Sequence, residues 1–187
     1  MYHIYGIYKQ VRNASWQFLI DNKVSSFPVD LRTIVKSMGI KVRKDDGTFL
    51  NDSKGATFFS SDTCYIVIAP NLTAQEARYT VAHELGHITL GHTLFNGSAN
   101  LPKREEYEAE RFAISILAPA CVLWGLDLHT PEEIASFCDI SLASAKIRAE
   151  RMKTLYARNA FLLSPLECQV FTQFRPYIDA KNNFLTC

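Results

Sequence analysis

The chain has 187 residues, of which 48% are hydrophobic and 21% are charged, and its formal net charge at pH 7 is +1. This composition is that of an ordinary globular protein and excludes a disordered chain, while the near-zero charge excludes a net field that attracts nucleic acid or membrane. No apolar run approaches the roughly 18 residues of a membrane span, and the N-terminus lacks a secretory signal pattern. The five cysteines form no CxxC pair. We therefore expect a cytoplasmic protein with reduced thiols and no membrane contact.

The first part of the chain predicts two helices followed by a small sheet. Apolar residues at helical spacing predict a helix over residues 8–22, and a second helix is expected from Pro28 to a stop at Gly39. Three β-prone runs follow: IKVR (40–43), ATFF (56–59) and CYIVIA (64–69). The turn residues SSDT join the last two runs. We therefore expect a small antiparallel sheet.

Helices dominate the rest of the chain. Thr73 and Glu76 match a capping box, which predicts a helix over residues 74–90 that stops near Gly91. A loop is expected over residues 93–103, and the remaining segments read as four helices: about 104–118, 131–138, 142–158 and 164–178, with the last residues, KNNFLTC, fraying. This order predicts an α+β fold that is mostly helical, with the small antiparallel sheet packed beside the helix 74–90.

The stretch VAHELGHITLGH, residues 81–92, contains three of the five histidines. His83 and His87 are four residues apart on a predicted helix, so their imidazoles project from one face and can share one metal ion. Glu84 is turned to the side of that face, where it can accept a proton from water. This HExxH arrangement supplies two ligands and a general base and predicts Zn²⁺ as the cofactor.

A catalytic zinc site needs a third protein ligand. His92 is a candidate, but it follows His87 by five residues, whereas a metzincin places its third histidine six residues on. We therefore expect His92 to lie in the loop or to support a ligand through a hydrogen bond.

The next predicted helix, PKREEYEAERFAISILAP, offers four glutamates. Glu106 and Glu110 share a face with small and apolar residues, so we expect Glu106 at the metal and Glu110 as the acceptor for a ligand imidazole's second N–H. Glu105 stays open as an alternative ligand. Glu108 falls with arginines on a face that we expect to be solvated.

Two motifs, VAHELGHITLGH and EYEAERFAISILAP, resemble those of the ImmA/IrrE family of zinc metallo-endopeptidases, which are gluzincin-like HExxH enzymes. The resemblance covers roughly residues 24–155. It implies a zinc site and a general base on these residues: His83, His87 and Glu106 as ligands, with Glu84 as base. The sequence departs from the family pattern at Glu110, where the family has Asn or Asp, and at Ala118-Pro119, where it usually has Met-Pro.

The resemblance also implies a function. Such enzymes hydrolyse a peptide bond in a protein substrate, a helix-turn-helix transcriptional repressor of a mobile element or stress regulon. The alternative is a non-hydrolytic antirepressor or antitoxin that binds a partner and whose zinc site is structural or vestigial. Glu84 argues against this alternative, because a structural site needs no general base. Amide hydrolysis also needs a donor to the oxyanion, and the candidates are Tyr79, Tyr65, His92 and His129.

Residues 131–153 have the residue pattern of a helix-turn-helix motif. Asp139 occupies the turn position where glycine is preferred, which weakens that reading. We expect its basic residues to lie on a solvated face and do not expect direct DNA binding; these residues are Lys146, Arg148, Arg151 and Lys153. The expected organisation is a zinc metallopeptidase domain over residues 1–125, with residues 126–187 as a C-terminal helical, helix-turn-helix-like subdomain packed on it.

Overall fold

The structure, a computed structural model, describes residues 2–92 and 102–185 and has an α+β fold with helices in excess, as predicted. The predicted loop 93–103 lies largely outside the described residues. The elements in chain order are α1 (Tyr2–Asp21), α2 (Leu31–Ser37), β1 (Lys41–Lys44), β2 (Gly55–Ser60), β3 (Thr63–Ile68), α3 (Ala74–Leu90), α4 (Lys103–Leu117), α5 (Ala120–Gly125), α6 (Pro131–Cys138), α7 (Leu142–Ala157) and α8 (Pro165–Leu185).

The sheet has the strand order β1-β3-β2. Strands β2 and β3 form the predicted antiparallel hairpin, and both turn residues, Ser61 and Asp62, have positive φ (44° and 63°), as a tight hairpin turn requires. Strand β1 is instead parallel to β3, from the pair Lys41↔Tyr65 onward, so the sheet is mixed rather than purely antiparallel. Strand β2 runs opposite to β1, and the β2–β3 hairpin reverses the chain again. Strand β3 therefore runs in the same direction as β1.

Helix boundaries follow local signals with four exceptions. Helix α1 begins at Tyr2 rather than at residue 8, and α5 was not predicted. Helix α2 begins at Leu31 rather than at Pro28, because Asp30 is its N-cap and accepts from the Thr33 amide. Helix α8 continues to Leu185, so the expectation that the segment from residue 181 frays is wrong for the described residues. Among the described residues, no helix is both long enough and apolar enough to cross a membrane.

Within the described residues, the chain forms two compact units. The first comprises residues 2–14, 30–92 and 102–113, and the second comprises residues 15–29 and 114–185. The first unit buries the second half of the central strand β3, residues 66–68, and most of residues 80–87 of α3. Gly86 of α3 lies against α4, since an added Cβ would stand 3.1 Å from Ala109 Cα and 3.2 Å from its carbonyl oxygen. The absence of a side chain there lets α3 and α4 approach closely.

The second unit is helical apart from its connections. Helix α6 begins at a capping box formed by Thr130 and Glu133, and Asp139 adopts the left-handed conformation (φ 51°) between α6 and α7. The expectation that Arg148 lies on a solvated face is wrong. Arg148 is only 5% exposed and donates a hydrogen bond to the Ile114 carbonyl oxygen at 2.9 Å. This arginine therefore has a packing role within the unit.

Candidate metal centre

Helix α3 carries both histidines of the HExxH motif on adjacent turns. It begins at Thr73, whose hydroxyl accepts from the Glu76 amide while the Glu76 carboxylate accepts from the Thr73 amide, and it ends at Gly91 in the left-handed conformation (φ 68°). Between these local signals, the helical period brings His83 Nε2 and His87 Nε2 to 3.0 Å from each other.

Glu106, near the start of α4, completes the group. Its Oε2 lies 3.2 Å from His83 Nε2 and its Oε1 lies 3.8 Å from His87 Nε2. One ligand atom from each of the three residues lies within 4.8 Å of the others. The side chain of His87 is almost wholly buried, whereas that of Glu106 is 46% exposed, so solvent reaches the group from the Glu106 side.

The charge states of the two histidines suit a divalent cation. Burial, together with the neighbouring His83 and His92, lowers the pKa of His87 to about 3. Burial also lowers the pKa of His83, against the opposing effect of the Glu106 and Glu110 carboxylates. Both imidazoles are therefore neutral at pH 7, and a neutral imidazole is the form that binds metal.

The donor set fits zinc. Two imidazole nitrogens and one carboxylate oxygen are the ligands of a catalytic zinc site of the two-histidine, one-glutamate type, which leaves a further coordination position for solvent. Within the described chain, no other cluster of three such residues has the same convergence. His83, His87 and Glu106 could therefore hold a metal ion.

Glu84 is buried beside this group. It is 6% exposed and accepts a hydrogen bond from Thr57 Oγ1 of β2 at 2.8 Å. The pKa of Glu84 is raised to about 7, chiefly by burial and also by the negative charge of Glu106, against the opposing effect of the Thr57 hydrogen bond. A carboxyl group with a pKa near neutrality can both take up and release a proton, which is what a general acid–base residue needs.

A row of polar side chains extends from the far side of His87. His87 Nδ1 lies 2.9 Å from His92 Nδ1, and His92 Nε2 lies 3.0 Å from Glu108 Oε2. Arg104 donates from Nε to Glu108 Oε1 at 2.7 Å. The expectation of a solvated Glu108 is wrong: this residue is 9% exposed, because His92, just beyond the end of α3, covers that side of α4.

Two other glutamates do not occupy the expected places. Glu110 is exposed and has no hydrogen bond to either imidazole of the motif, so the prediction that it accepts from a ligand is contradicted. His92 holds that position at His87 instead. Glu105, the alternative ligand, is not part of the converging group, and its Oε2 is buried without a hydrogen-bond partner among the described residues.

The candidate oxyanion donors lie in different surroundings. The Tyr79 ring is stacked on His83 with 6.4 Å between ring centroids, and burial raises the pKa of Tyr79 to about 12. The Tyr65 ring lies beneath Lys41 and Arg43, at 5.6 and 5.4 Å, and strand alternation turns it to the face of the sheet opposite the Thr57 side chain. Tyr79 is therefore next to the metal group and Tyr65 is not.

His129 lies in the second unit, where its Nε2 is 2.8 Å from Asp127 Oδ1. In the first unit, Cys64 lies on the same face of the sheet as Thr57. Burial raises the pKa of the Cys64 thiol, and the charge of Glu84 raises it further. The thiol therefore stays protonated and does not join the metal group.

Sequence reasoning did not identify three residues around the group: Thr57, Glu108 and Arg104. Thr57 is one hydroxyl in a β-prone run and carries no motif. The one sequence signal for Thr57 was a threonine at a buried strand position. Glu108 and Arg104 are four residues apart on a helix, a spacing that predicts an ion pair but does not predict its burial.

A protein-family model matches the chain, and no curated protein does. The model of the IrrE N-terminal-like domain, in the Peptidase M78 family, matches residues 35–150. The match covers more than half of the chain and includes β1 to β3, α3 and α4. Because that family is one of metallopeptidases, a metal, a protein substrate and metallopeptidase-type function follow from membership. The chain belongs to the Peptidase M78 (IrrE N-terminal-like) family.

Proposed function

We propose that this protein is a zinc-dependent endopeptidase of the cytoplasm that cleaves a helix-turn-helix transcriptional repressor of a mobile element or stress regulon. The single observation that carries the enzymatic part is the convergence of His83 Nε2, His87 Nε2 and a Glu106 oxygen next to the buried Glu84. The family match supports peptidase chemistry, and the two-histidine, one-carboxylate donor set favours zinc.

In the proposed mechanism, His83, His87 and Glu106 would hold Zn²⁺, which would lower the pKa of a water molecule towards about 7 and polarise the scissile carbonyl group. Glu84 accepts a proton from the attacking water on a carboxylate oxygen and passes it to the leaving amide nitrogen. Thr57 holds the other carboxylate oxygen by its hydrogen bond, so that Glu84 keeps one orientation through both transfers. Tyr79 is the proposed donor to the oxyanion.

The position of β2 suggests how a polypeptide substrate binds. In the described part of the chain, β2 is an edge strand of the sheet and pairs only with β3. Its residue Thr57 contacts Glu84, so an extended segment added along the outer edge of β2 would run past the general base. Substrate peptides with N-methylated backbone amides near the scissile bond should be cleaved more slowly if this pairing occurs.

We further propose that residues 1–125 carry the peptidase chemistry and that residues 126–187 form a helical subdomain. All four residues of the proposed site precede residue 125. Direct DNA binding by the second segment is not part of the proposal, because Arg148, one of its four basic candidates, is buried.

The test is to mix the purified full chain with the repressor encoded beside its gene, with and without a zinc chelator. We expect one main cleavage, its loss in chelator, and a loss of at least about 100-fold in Glu84→Ala with Zn²⁺ still bound. The exposed variant Glu150→Gln is the matched control. Cleavage that persists in Glu84→Ala would refute the mechanism. Zn²⁺ binding without hydrolysis of any repressor would favour the non-hydrolytic alternative.

A further inference from the structure

Behind His87, the buried side chains of His92 and Glu108 and the exposed side chain of Arg104 form a row of groups at hydrogen-bond distance. His87, His92 and Glu108 are 2%, 9% and 9% exposed. The Arg104 side chain is 56% exposed, so the row begins at the surface and ends at the metal group. Such a row has no role in the proposed proton transfers by Glu84, yet it contacts one proposed ligand directly.

The proposed ligand atom of His87 defines which groups in the row donate. His87 Nε2 is the ring nitrogen at the metal group, 3.0 Å from His83 Nε2 and 3.8 Å from Glu106 Oε1. An imidazole that binds a metal through Nε2 carries its proton on Nδ1. At the other end of the row, the Arg104 guanidinium donates from Nε to Glu108 Oε1 at 2.7 Å.

The proton positions then follow in order along the row. His87 Nδ1 faces His92 Nδ1 at 2.9 Å, so a proton on His87 Nδ1 makes His92 Nδ1 the acceptor. His92 then carries its own proton on Nε2, which donates to Glu108 Oε2 at 3.0 Å. In this order one donor and one acceptor meet at each contact of the row.

The contacts on the other side of His87 agree with this order. His87 Nε2 lies 3.0 Å from His83 Nε2, and His83 Nε2 lies 3.2 Å from a Glu106 oxygen. If His83 carries its proton on Nε2, both neighbours accept it and no two donors face each other. The lone pair of His87 then points to the place where the three ligand atoms converge.

We propose that Arg104, Glu108 and His92 are positioning residues that hold His87 in its Nδ1–H tautomer and so direct its Nε2 lone pair at the metal. The inference rests on the proposed metal site. A carboxylate that orients a ligand imidazole directly is a common arrangement; here a second imidazole stands between carboxylate and ligand. The competing explanation is that the row only fastens the end of α3 to α4. That explanation predicts a loss of stability but no change in the tautomer of His87.

The experiment compares wild type with Glu108→Gln and Arg104→Ala, and uses Glu150→Gln as the control. A glutamine at 108 offers one acceptor oxygen in place of two, so it cannot accept from both neighbours. Zn²⁺ affinity is measured by competition with a chromophoric chelator, and the tautomers of His87 and His92 are read from imidazole ¹⁵N shifts with and without Zn²⁺. The free energy of unfolding of the metal-free proteins is measured in parallel.

We expect Nδ1–H on His87 in wild type and a Zn²⁺ affinity about 10- to 100-fold lower in Glu108→Gln. Arg104→Ala should also lower the Zn²⁺ affinity, but by a smaller factor. Because the Arg104 side chain is largely exposed, this variant tests the row even if Glu108→Gln does not fold. The control should match wild type.

A proton on Nε2 of His87 in the metal-free wild type, or wild-type Zn²⁺ affinity in both variants, would overturn the inference. A wild-type protein that binds no Zn²⁺ would instead refute the proposed function. In that case the tautomer of His87 in the metal-free protein still decides whether the row orients it.

Discussion

Glu84 in the first unit and Arg148 in the second are both helical, ionisable and almost wholly removed from solvent, at 6% and 5% exposure. Arg148 directs its guanidinium at the Ile114 carbonyl oxygen and at Ser115 Oγ, at 2.9 and 3.3 Å. Glu84 accepts one hydrogen bond, from Thr57, and faces the charge of another carboxylate, so its pKa rises to about 7. The difference shows that burial alone does not mark a functional charge. A buried charge marks chemistry when its neighbours leave it uncompensated.

The largest expected effect is on the metal-free protein when Glu84 is replaced by Gln. The pKa of Glu84 is higher in the folded protein than in the unfolded chain, so its contribution to stability is complete below about pH 4.5 and is lost as the pH rises to about 7. The free energy of unfolding of Glu84→Gln, relative to that of wild type, should therefore rise by about 2–3 kcal/mol as the pH increases from 5 to 8. Urea unfolding in chelator measures this difference.

Arg148→Met should act in the opposite direction. The substitution keeps an unbranched chain of similar length but removes hydrogen bonds from a charged donor, so we expect a loss of about 2 kcal/mol in the free energy of unfolding at every pH from 5 to 8. Zn²⁺ affinity should stay at the wild-type value. A stability unaffected by this substitution would mean that the buried guanidinium is not part of the scaffold.

Thr57→Val tests the contact that distinguishes Glu84 from Arg148. The valine keeps the shape of the side chain and removes the hydroxyl that donates to the Glu84 carboxylate, which should cost about 1.5 kcal/mol at pH 8. Thr57→Ser, which keeps the hydroxyl, is the matched control. Because the hydrogen bond also orients the general base, repressor cleavage should slow in the valine variant and persist in the serine variant.

The smallest expected effects are on the two capping boxes, one in each unit. Thr73→Ala at the start of α3 and Thr130→Ala at the start of α6 should each cost about 1 kcal/mol in unfolding free energy. Equal losses with unchanged Zn²⁺ affinity would show that the caps serve the helices alone. A selective loss of Zn²⁺ affinity in Thr73→Ala would instead show that the start of α3 also sets the position of His83.

The features that the sequence predicts well are those with local causes. The bounds of α3 follow from Thr73, Glu76 and Gly91, which lie within or beside the helix itself. The approach of His83 to His87 follows from the helical period, and the small residues of α4 predict its close contact with α3.

Features that depend on distant parts of the chain were not predictable in the same way. Glu108 is buried because His92, sixteen residues earlier, covers it. A helical projection of α4 alone contains no information on that neighbour. The parallel direction of β1 and the contact of Thr57 with Glu84 likewise depend on how separate elements pair in space.

The thiol of Cys64 offers a chemical reporter on the general base. Alkylating reagents attack the thiolate, and burial together with the charge of Glu84 keeps Cys64 in the unreactive thiol form. Neutralising that carboxylate by the substitution Glu84→Gln should make Cys64 easier to modify at a fixed pH. Peptide mass mapping after brief alkylation of wild type and Glu84→Gln would then measure how strongly the charge of Glu84 acts on its surroundings.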